Sequence, residues 1–237
     1  MDYSLDILAS TTADWGLPLS EAQLAQFTLY ADTLRQWNEH LNLTAITDYK
    51  EIMVRHFLDA LRCAQSWGNA PCSLIDIGSG AGLPGLPLKL LCPTLELTLV
   101  ESVRKKAAFL QHMVDQLGLP AVTILTQRAE VVGQDRHHRE RYDVATARAV
   151  APLNVLAEYC LPLLRLGGRF LAPKGADIAA EIDRARSALT TLGGQLLAVE
   201  PVCLPDLEPR TLVIVEKIAS TPLLYPRATG VPARRPL

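Results

Sequence analysis

Apolar residues recur along the first third of the chain at helical spacing and from Ser73 onward at strand spacing. Leu24, Phe27, Leu34 and Trp37 lie on one helical face behind Ser20-Glu21-Ala22-Gln23, where a glutamine three places after a serine marks a capping box. A second helical stripe, Ile52, Phe57, Leu58 and Leu61, runs within Tyr49 to Trp67. The polar stretch Asn42-Leu43-Thr44-Ala45-Ile46-Thr47 reads as the connector between them, and Gly68-Asn69-Ala70-Pro71 closes the helical part. β-type runs then follow at residues 74–77, 95–100, 122–125, 142–147 and 169–172, separated by helical stretches near 85–91, 104–117, 129 onward and 153–164. That alternation predicts an α/β fold with a doubly wound, mostly parallel sheet and right-handed crossovers. A helix near 176–192 precedes two final strands, 195–202 and 211–216, whose short Pro-rich joint predicts an antiparallel closing pair and seven strands in all. Three regions result: an N-terminal helical extension (1–70), the α/β domain (71–218) and a tail (219–237) with no core-forming pattern.

The first strand runs into the densest glycine cluster of the chain, Asp76-Ile77-Gly78-Ser79-Gly80-Ala81-Gly82-Leu83-Pro84-Gly85. Glycine lets bare backbone approach a ligand and adopts positive φ, and Pro84 suits a first helical turn. Two ligand readings fit. Gly80-x-Gly82-x-x-Gly85 with Glu101 matches a dinucleotide fingerprint. Gly78-x-Gly80-x-Gly82 after Asp76 matches the loop of S-adenosylmethionine (AdoMet) methyltransferases. The closing antiparallel pair favours AdoMet, because a dinucleotide dehydrogenase more often repeats a second βαβαβ half. Three further strand ends fall on the same rim: Glu101, suited to ribose hydroxyls; Gln127-Arg128-Ala129-Glu130, near an adenine edge; and Ala147-Arg148-Ala149-Val150-Ala151-Pro152, near a methyl acceptor. Singly, Glu101 and Glu130 could be acids complementing a helix dipole, Arg148 a surface charge and Asp76 a turn cap. Their coincidence at four successive strand ends is what favours a site.

Charge and composition narrow the setting. The chain has 237 residues and a formal net charge of −2, which argues against indiscriminate nucleic-acid binding. Basic residues nevertheless cluster at Arg104-Lys105-Lys106, from Arg136 to Arg141, and at Arg227, Arg234 and Arg235. Five cysteines without C-x-x-C spacing argue for a reducing compartment and against a zinc site, so no metal is expected. No secretory signal or membrane-length apolar run is visible, which makes a cytoplasmic monomer the expectation. No nucleophile elbow, H-E-x-x-H pair or P-loop lysine occurs. His56 and His112 sit in helical patterns and read as structural or surface residues. Arg55 and Asp59, four apart, read as a helix-surface ion pair.

Taken together, Asn42-Leu43-Thr44, Arg55-His56-Phe57-Leu58-Asp59-Ala60-Leu61, the glycine loop, Glu101-Ser102, Arg128-Ala129-Glu130, Ala147-Arg148-Ala149, Pro173-Lys174-Gly175 and Arg210-Thr211-Leu212-Val213-Ile214 carry a resemblance. The tail segments Tyr225-Pro226-Arg227 and Pro236-Leu237 extend it. Over almost its whole length the chain resembles the bacterial ribosomal RNA small subunit methyltransferase G family, also called glucose-inhibited division protein B. The resemblance implies transfer of a methyl group from AdoMet to N7 of a guanine in a 16S rRNA hairpin near the decoding region, leaving S-adenosylhomocysteine. It implies cofactor contacts at Gly78, Leu83, Ala129, Glu130 and Arg148, with Glu101 on the ribose, to which the reading of the glycine loop adds Asp76 and Gly80. Arg148 and Lys174 become the candidate catalytic residues, and Arg55, Lys174 and Arg210 the candidate RNA contacts. Two motifs depart from the family pattern, which often has Ser-Arg-Ala and Leu-Lys-Gly where this chain has Ala147-Arg148-Ala149 and Pro173-Lys174-Gly175. An NAD-dependent oxidoreductase and a non-catalytic RNA-binding factor are the competing classes.

Overall fold

A computed structural model describes residues 3–68, 73–148 and 151–237. The expected joint between helical extension and α/β domain at 69–72, and Ala149-Val150 of the fourth-strand motif, lie outside the described residues.

Helix α1 (Tyr3–Asp14) is an element that periodicity does not reveal, its apolar positions being few and interrupted by threonines. Leu8 nevertheless anchors it with no exposed surface. Helix α2 (Glu21–Asn38) starts at the expected capping box: Gln23 N donates to Ser20 Oγ, and Ser20 N donates to Gln23 Oε1 at 2.9 Å. After the connector, α3 (Tyr49–Glu51) is capped by Asp48, whose Oδ1 accepts from Glu51 N. The chain then widens into a π-helical stretch (Ile52–Leu58) before α4 (Asp59–Leu61) and a 3-10 turn (Arg62–Gln65). In the π-helical stretch every side chain but that of Arg55 is buried. Stretches of this kind recur at functional sites, and this one carries His56 toward the rim of the sheet.

The sheet comprises β1 (Ser73–Ile77), β2 (Glu96–Val100), β3 (Val122–Leu125), β4 (Tyr142–Thr146), β5 (Leu164–Lys174), β6 (Gly194–Val202) and β7 (Arg210–Lys217), in the order β3-β2-β1-β4-β5-β7-β6. β1 to β5 pair in parallel, while β7 runs antiparallel to both β5 and β6. This inserted strand replaces the sixth parallel strand of a dinucleotide-binding sheet, which disfavours the oxidoreductase reading. Helices α5 (Gly85–Leu91), α6 (Arg104–Gln116), α7 (Ala129–Gln134), α8 (Leu153–Cys160) and α9 (Ala179–Thr191) fill the crossovers, and α10 (Val231–Arg234) lies in the tail. β5 is longer than the sequence suggests. Its partner register jumps from Tyr142↔Leu164 to Val144↔Arg169, an irregularity that leaves Leu166 exposed.

Alternating side chains put the two faces of the sheet into two cores. Leu74, Leu97 and Leu99 pack with Phe27, Tyr30, Phe57, Leu86 and Phe109. Ile75, Ile77 and Val100 pack with Leu156, Phe170, Ile182 and Val213 on the other side. The N-terminal helices therefore share a core with the sheet and are built into one of its layers. No helix of the described residues is long and apolar enough to cross a membrane.

The tail, which carries no core-forming pattern, is fastened to the rest of the fold. Polar ties hold it, and hydrophobic periodicity is blind to those. Arg139 donates to the carbonyls of Thr221 and Tyr225, and Gln134 to that of Pro226. Arg227 grips the buried Glu158 through Nε, Nη2 and its backbone N–H, at 2.6–2.9 Å. Its guanidinium is thus spent on the fold and is not a free basic charge. Arg227→Ala leaves that carboxylate without a cation. The expected cost is about 2 kcal/mol, below the usual range for a broken buried pair because Arg227 is partly open to water. Urea midpoints of the two proteins check it, and equal midpoints would contradict the tie.

Candidate active site

The strand ends of β1, β2, β3 and β4 meet on one rim, where two cavities of about 520 and 250 Å³ share Gly78, Glu101 and Ser102 in their walls. The glycine loop forms their common floor. Gly78 and Gly80 adopt φ of +70° and +56°, conformations that L side chains disfavour. Backbone N–H groups of Gly78 and Ser79 both donate to Val100 O, fastening the loop to the end of β2. Beneath it, Asp76 is fully buried, with Oδ2 accepting from Gly85 N at 3.1 Å and Oδ1 from Thr146 Oγ1 at 3.2 Å. Burial pushes its carboxyl up to about 6, against the lowering effect of those hydrogen bonds. Asp76 lines neither cavity. It braces the loop through Gly85 N.

Glu101 braces the loop from the side. Oε2 accepts from Gly80 N at 3.0 Å and Oε1 from Val103 N at 2.7 Å, and each oxygen keeps a lone pair. In the smaller cavity, Ala129 and Glu130 at the start of α7 stand with Tyr159 and with Ala233 from the tail. Glu130 Oε1 accepts from Gly230 N at 2.8 Å, which ties α10 to the cavity wall. Burial, with the Glu130 carboxylate beside it, pushes the Tyr159 phenol up to about 12.

The larger cavity is walled by Leu83, Arg148 and residues of the N-terminal extension, among them Thr44, Arg55 and His56. Arg148 Nη1 donates to Asp59 Oδ2 at 3.0 Å and to Arg55 O at 3.1 Å, and Nη2 lies 3.3 Å from His56 Nδ1. Asp59, only 3 % exposed, also takes Arg210, whose Nε lies 2.9 Å from Oδ1. That N–H is not aimed at the oxygen, so the contact is an ion pair without a hydrogen bond. Burial, then the charge of Arg148, hold His56 down at about 3, so the imidazole is neutral near pH 7. Among the described residues no three His, Cys, Asp or Glu side chains gather as a metal site.

A family model described as rRNA small subunit methyltransferase G matches residues 23–208. The chain belongs to the rRNA small subunit methyltransferase G family. Ribosomal RNA small subunit methyltransferase G of Roseiflexus sp. (strain RS-1) is 63 % identical, over 98 % of this chain and all of that relative. The protein of the same name from Chloroflexus aggregans is 57 % identical, over 98 % and 97 %. Among solved structures, M. jannaschii TYW2 in complex with AdoMet superposes with a TM-score of 0.51 at 13 % identity, over 68 % of this chain and 77 % of that one, a likeness of fold.

Within this methyltransferase, the expected site residues separate into three groups. Gly78, Gly80, Leu83, Glu101, Ala129, Glu130 and Arg148 line the cavities, as do Arg55 and Arg210. Lys174 does not: its ammonium is taken by Ala151 O at 2.9 Å and Glu181 Oε1 at 2.7 Å, so it ties the loop after β4 to α9. Asp76, as above, lies beneath the loop. The Arg55–Asp59 surface pair, the alternative to an RNA contact at Arg55, does not form. Arg55 reaches back to Glu51 at 3.3 Å, and Asp59 turns inward to Arg148 and Arg210. Residues that sequence reasoning missed are Thr44, His56, Tyr159 and Ala233, all in cavity walls. The motif Asn42-Leu43-Thr44 was visible, but nothing in a helical period says that a connector will face a strand end.

A native histidine that refuses a proton couples stability to pH. His56 is neutral when folded down to about pH 3 and protonates near 6.5 when unfolded. Its contribution is therefore complete above pH 6.5 and is lost as pH falls toward 3. Asp76, with its carboxyl raised, acts with opposite sign between about pH 6 and 4, so the comparison must be between parent and variant. His56→Gln should reduce the parent's loss between pH 7 and 5 by about 2 kcal/mol. Chemical denaturation at the two pH values checks this, and parallel losses would contradict the burial of a neutral ring.

Proposed function

We propose that this protein transfers a methyl group from AdoMet to N7 of a guanine in small-subunit ribosomal RNA, acting in the bacterial cytoplasm. The observation that carries the reading is the pair of cavities that share Gly78, Glu101 and Ser102 in their walls, in a chain of this family. The residues fit the cofactor: a slot with Glu130 and Tyr159 suits a base, the free lone pairs of Glu101 suit ribose hydroxyls, and glycine backbone admits the amino-acid end. When bound, AdoMet supplies an electrophilic methyl on a sulfonium.

The protein's own residues have a modest chemical task. N7 of neutral guanine already carries a lone pair, so no base must remove a proton first. Among the described residues, the histidine in the wall of the larger cavity, His56, bonds to Thr44 and Arg148 and to no carboxylate, which is consistent with that. Catalysis then rests on alignment at near-attack distance. Arg148, locked by Asp59 and the Arg55 carbonyl, is a rigid wall for that alignment. Arg55, Lys106 and Arg210 stand around the larger cavity and serve phosphates of an unstacked loop. Lys174 serves as a structural tie. Calorimetric titration with S-adenosylhomocysteine and with NAD tests the cofactor: heat from the first alone is expected, and heat from NAD alone would revive the oxidoreductase reading.

A further inference from the structure

One side chain in the larger cavity has a hydrogen-bonding polarity forced on it by its neighbours. Thr44 Oγ1 lies 2.8 Å from His56 Nε2 and accepts from Ile46 N at 3.0 Å. On its other side the imidazole presents Nδ1 to Arg148 Nη2 at 3.3 Å. A guanidinium has only donors. The Arg148 contact makes Nδ1 the bare nitrogen and puts the ring proton on Nε2, against the pull of the Arg55 backbone, which favours a protonated ring. From there it is donated to Thr44. With the Nε2–H and the Ile46 N–H both pointing at it, the Thr44 oxygen has both lone pairs engaged. Only its own hydroxyl proton remains, and Thr44 is part of the cavity wall. Threonine hydroxyls ordinarily donate or accept as required; this one can only donate.

Resting on the proposed guanine-N7 reaction, we propose that Thr44 is a specificity-determining residue, donating its hydroxyl proton to O6 of the target guanine. O6 is the neighbour of N7 on the same edge of the base, and both are acceptors. Adenine places an amino donor there, which would face the Thr44 proton head-on. The polarity of Thr44 thus distinguishes the two purines at the position beside the reacting nitrogen. His56 acts through Thr44 as a positioning residue, and Arg148 fixes the tautomer that makes it one.

The contact also has a kinetic signature. Methylation makes the base cationic and draws electron density from O6, so the hydrogen bond is stronger in the bound substrate than in the transition state. Its loss should raise KM and leave kcat unchanged or slightly raised.

Two measurements test the assignment. The ring-nitrogen chemical shifts of His56 in the intact 15N-labelled protein report the tautomer without any substrate. Protonated Nε2 is expected, and protonated Nδ1 would overturn the proposal. The second compares small subunits reconstituted with guanine or with 2-aminopurine, which lacks O6, at the mapped target. The parent should prefer guanine by about tenfold in kcat/KM, chiefly through KM, the scale of one lost hydrogen bond. Thr44→Val should bring that preference close to one, and Thr44→Ser should restore it. A preference unchanged in Thr44→Val, or absent from the parent, would overturn the role of Thr44; the parent value stands even if the valine variant fails to fold. Failure of the parent to methylate guanine at all would instead overturn the functional reading beneath it.

Discussion

Gly78→Asp abolishes AdoMet binding and leaves the protein folded. Gly78 is in the wall of both cavities, as is Glu101. A side chain there alters a wall that both cavities share, and a carboxylate adds negative charge to a site that already holds Glu101 and Glu130. The backbone tolerates the change better than the ligand does. Its φ of +70° falls in the left-handed region that aspartate enters more readily than most residues. The Gly78 N–H bond to Val100 O involves backbone alone and persists. Strain of about 1 kcal/mol should lower Tm by roughly 2–4 °C in a chain of this size. Affinity should fall at least hundredfold, about 3 kcal/mol. Calorimetry and a thermal melt on the same preparation separate the two effects. Retained micromolar affinity in the folded variant would mean that the loop is not the cofactor floor.

Asp59→Ala is expected to cost on the order of 3 kcal/mol of stability and most of the methyl-transfer rate. Asp59 is nearly inaccessible and serves two cations that come from far along the chain, Arg148 after β4 and Arg210 at the start of β7. Removing the carboxylate leaves Arg148, itself mostly buried, beside Arg210 with no anion between them. Arg148 also loses the bond that sets its direction, and His56 loses a fixed neighbour on its Nδ1 side. Asp59→Asn keeps an acceptor but no charge, so its effect should fall between parent and alanine. Urea midpoints and single-turnover transfer rates check both variants. Equal midpoints for all three would show the cluster to be a surface pairing of little worth.

What could be read from the chain without its structure was whatever is local. The capping box at Ser20 and Gln23, the alternation of strands with helices and the glycine loop each announce themselves within a few residues. Strand ends on a doubly wound sheet also share a rim by topology, which is why Glu101, Glu130 and Arg148 could be grouped before their contacts were visible. Contacts between distant positions were not legible. Arg148 meets His56 across 92 positions and Gly230 meets Glu130 across 100, and no period encodes such pairs. The same blindness hides what a given side chain is bonded to. Asp76 sits where a ligand acid would, yet it is fully buried and bonded under the loop; Lys174 ends β5 on the same rim, yet Glu181 captures it. Helix α1 and the tail escaped because one is weakly patterned and the other is held by arginine and glutamine side chains bonding to carbonyls and to Glu158.

The most direct measurement is transfer of labelled methyl from AdoMet to small ribosomal subunits lacking the modification, with the product mapped by strand cleavage specific for N7-methylguanine. Label incorporated with cleavage at a single guanine of the small-subunit RNA is the predicted result. No label from protein that binds AdoMet, or label on another atom, would contradict the assignment of this site to guanine N7.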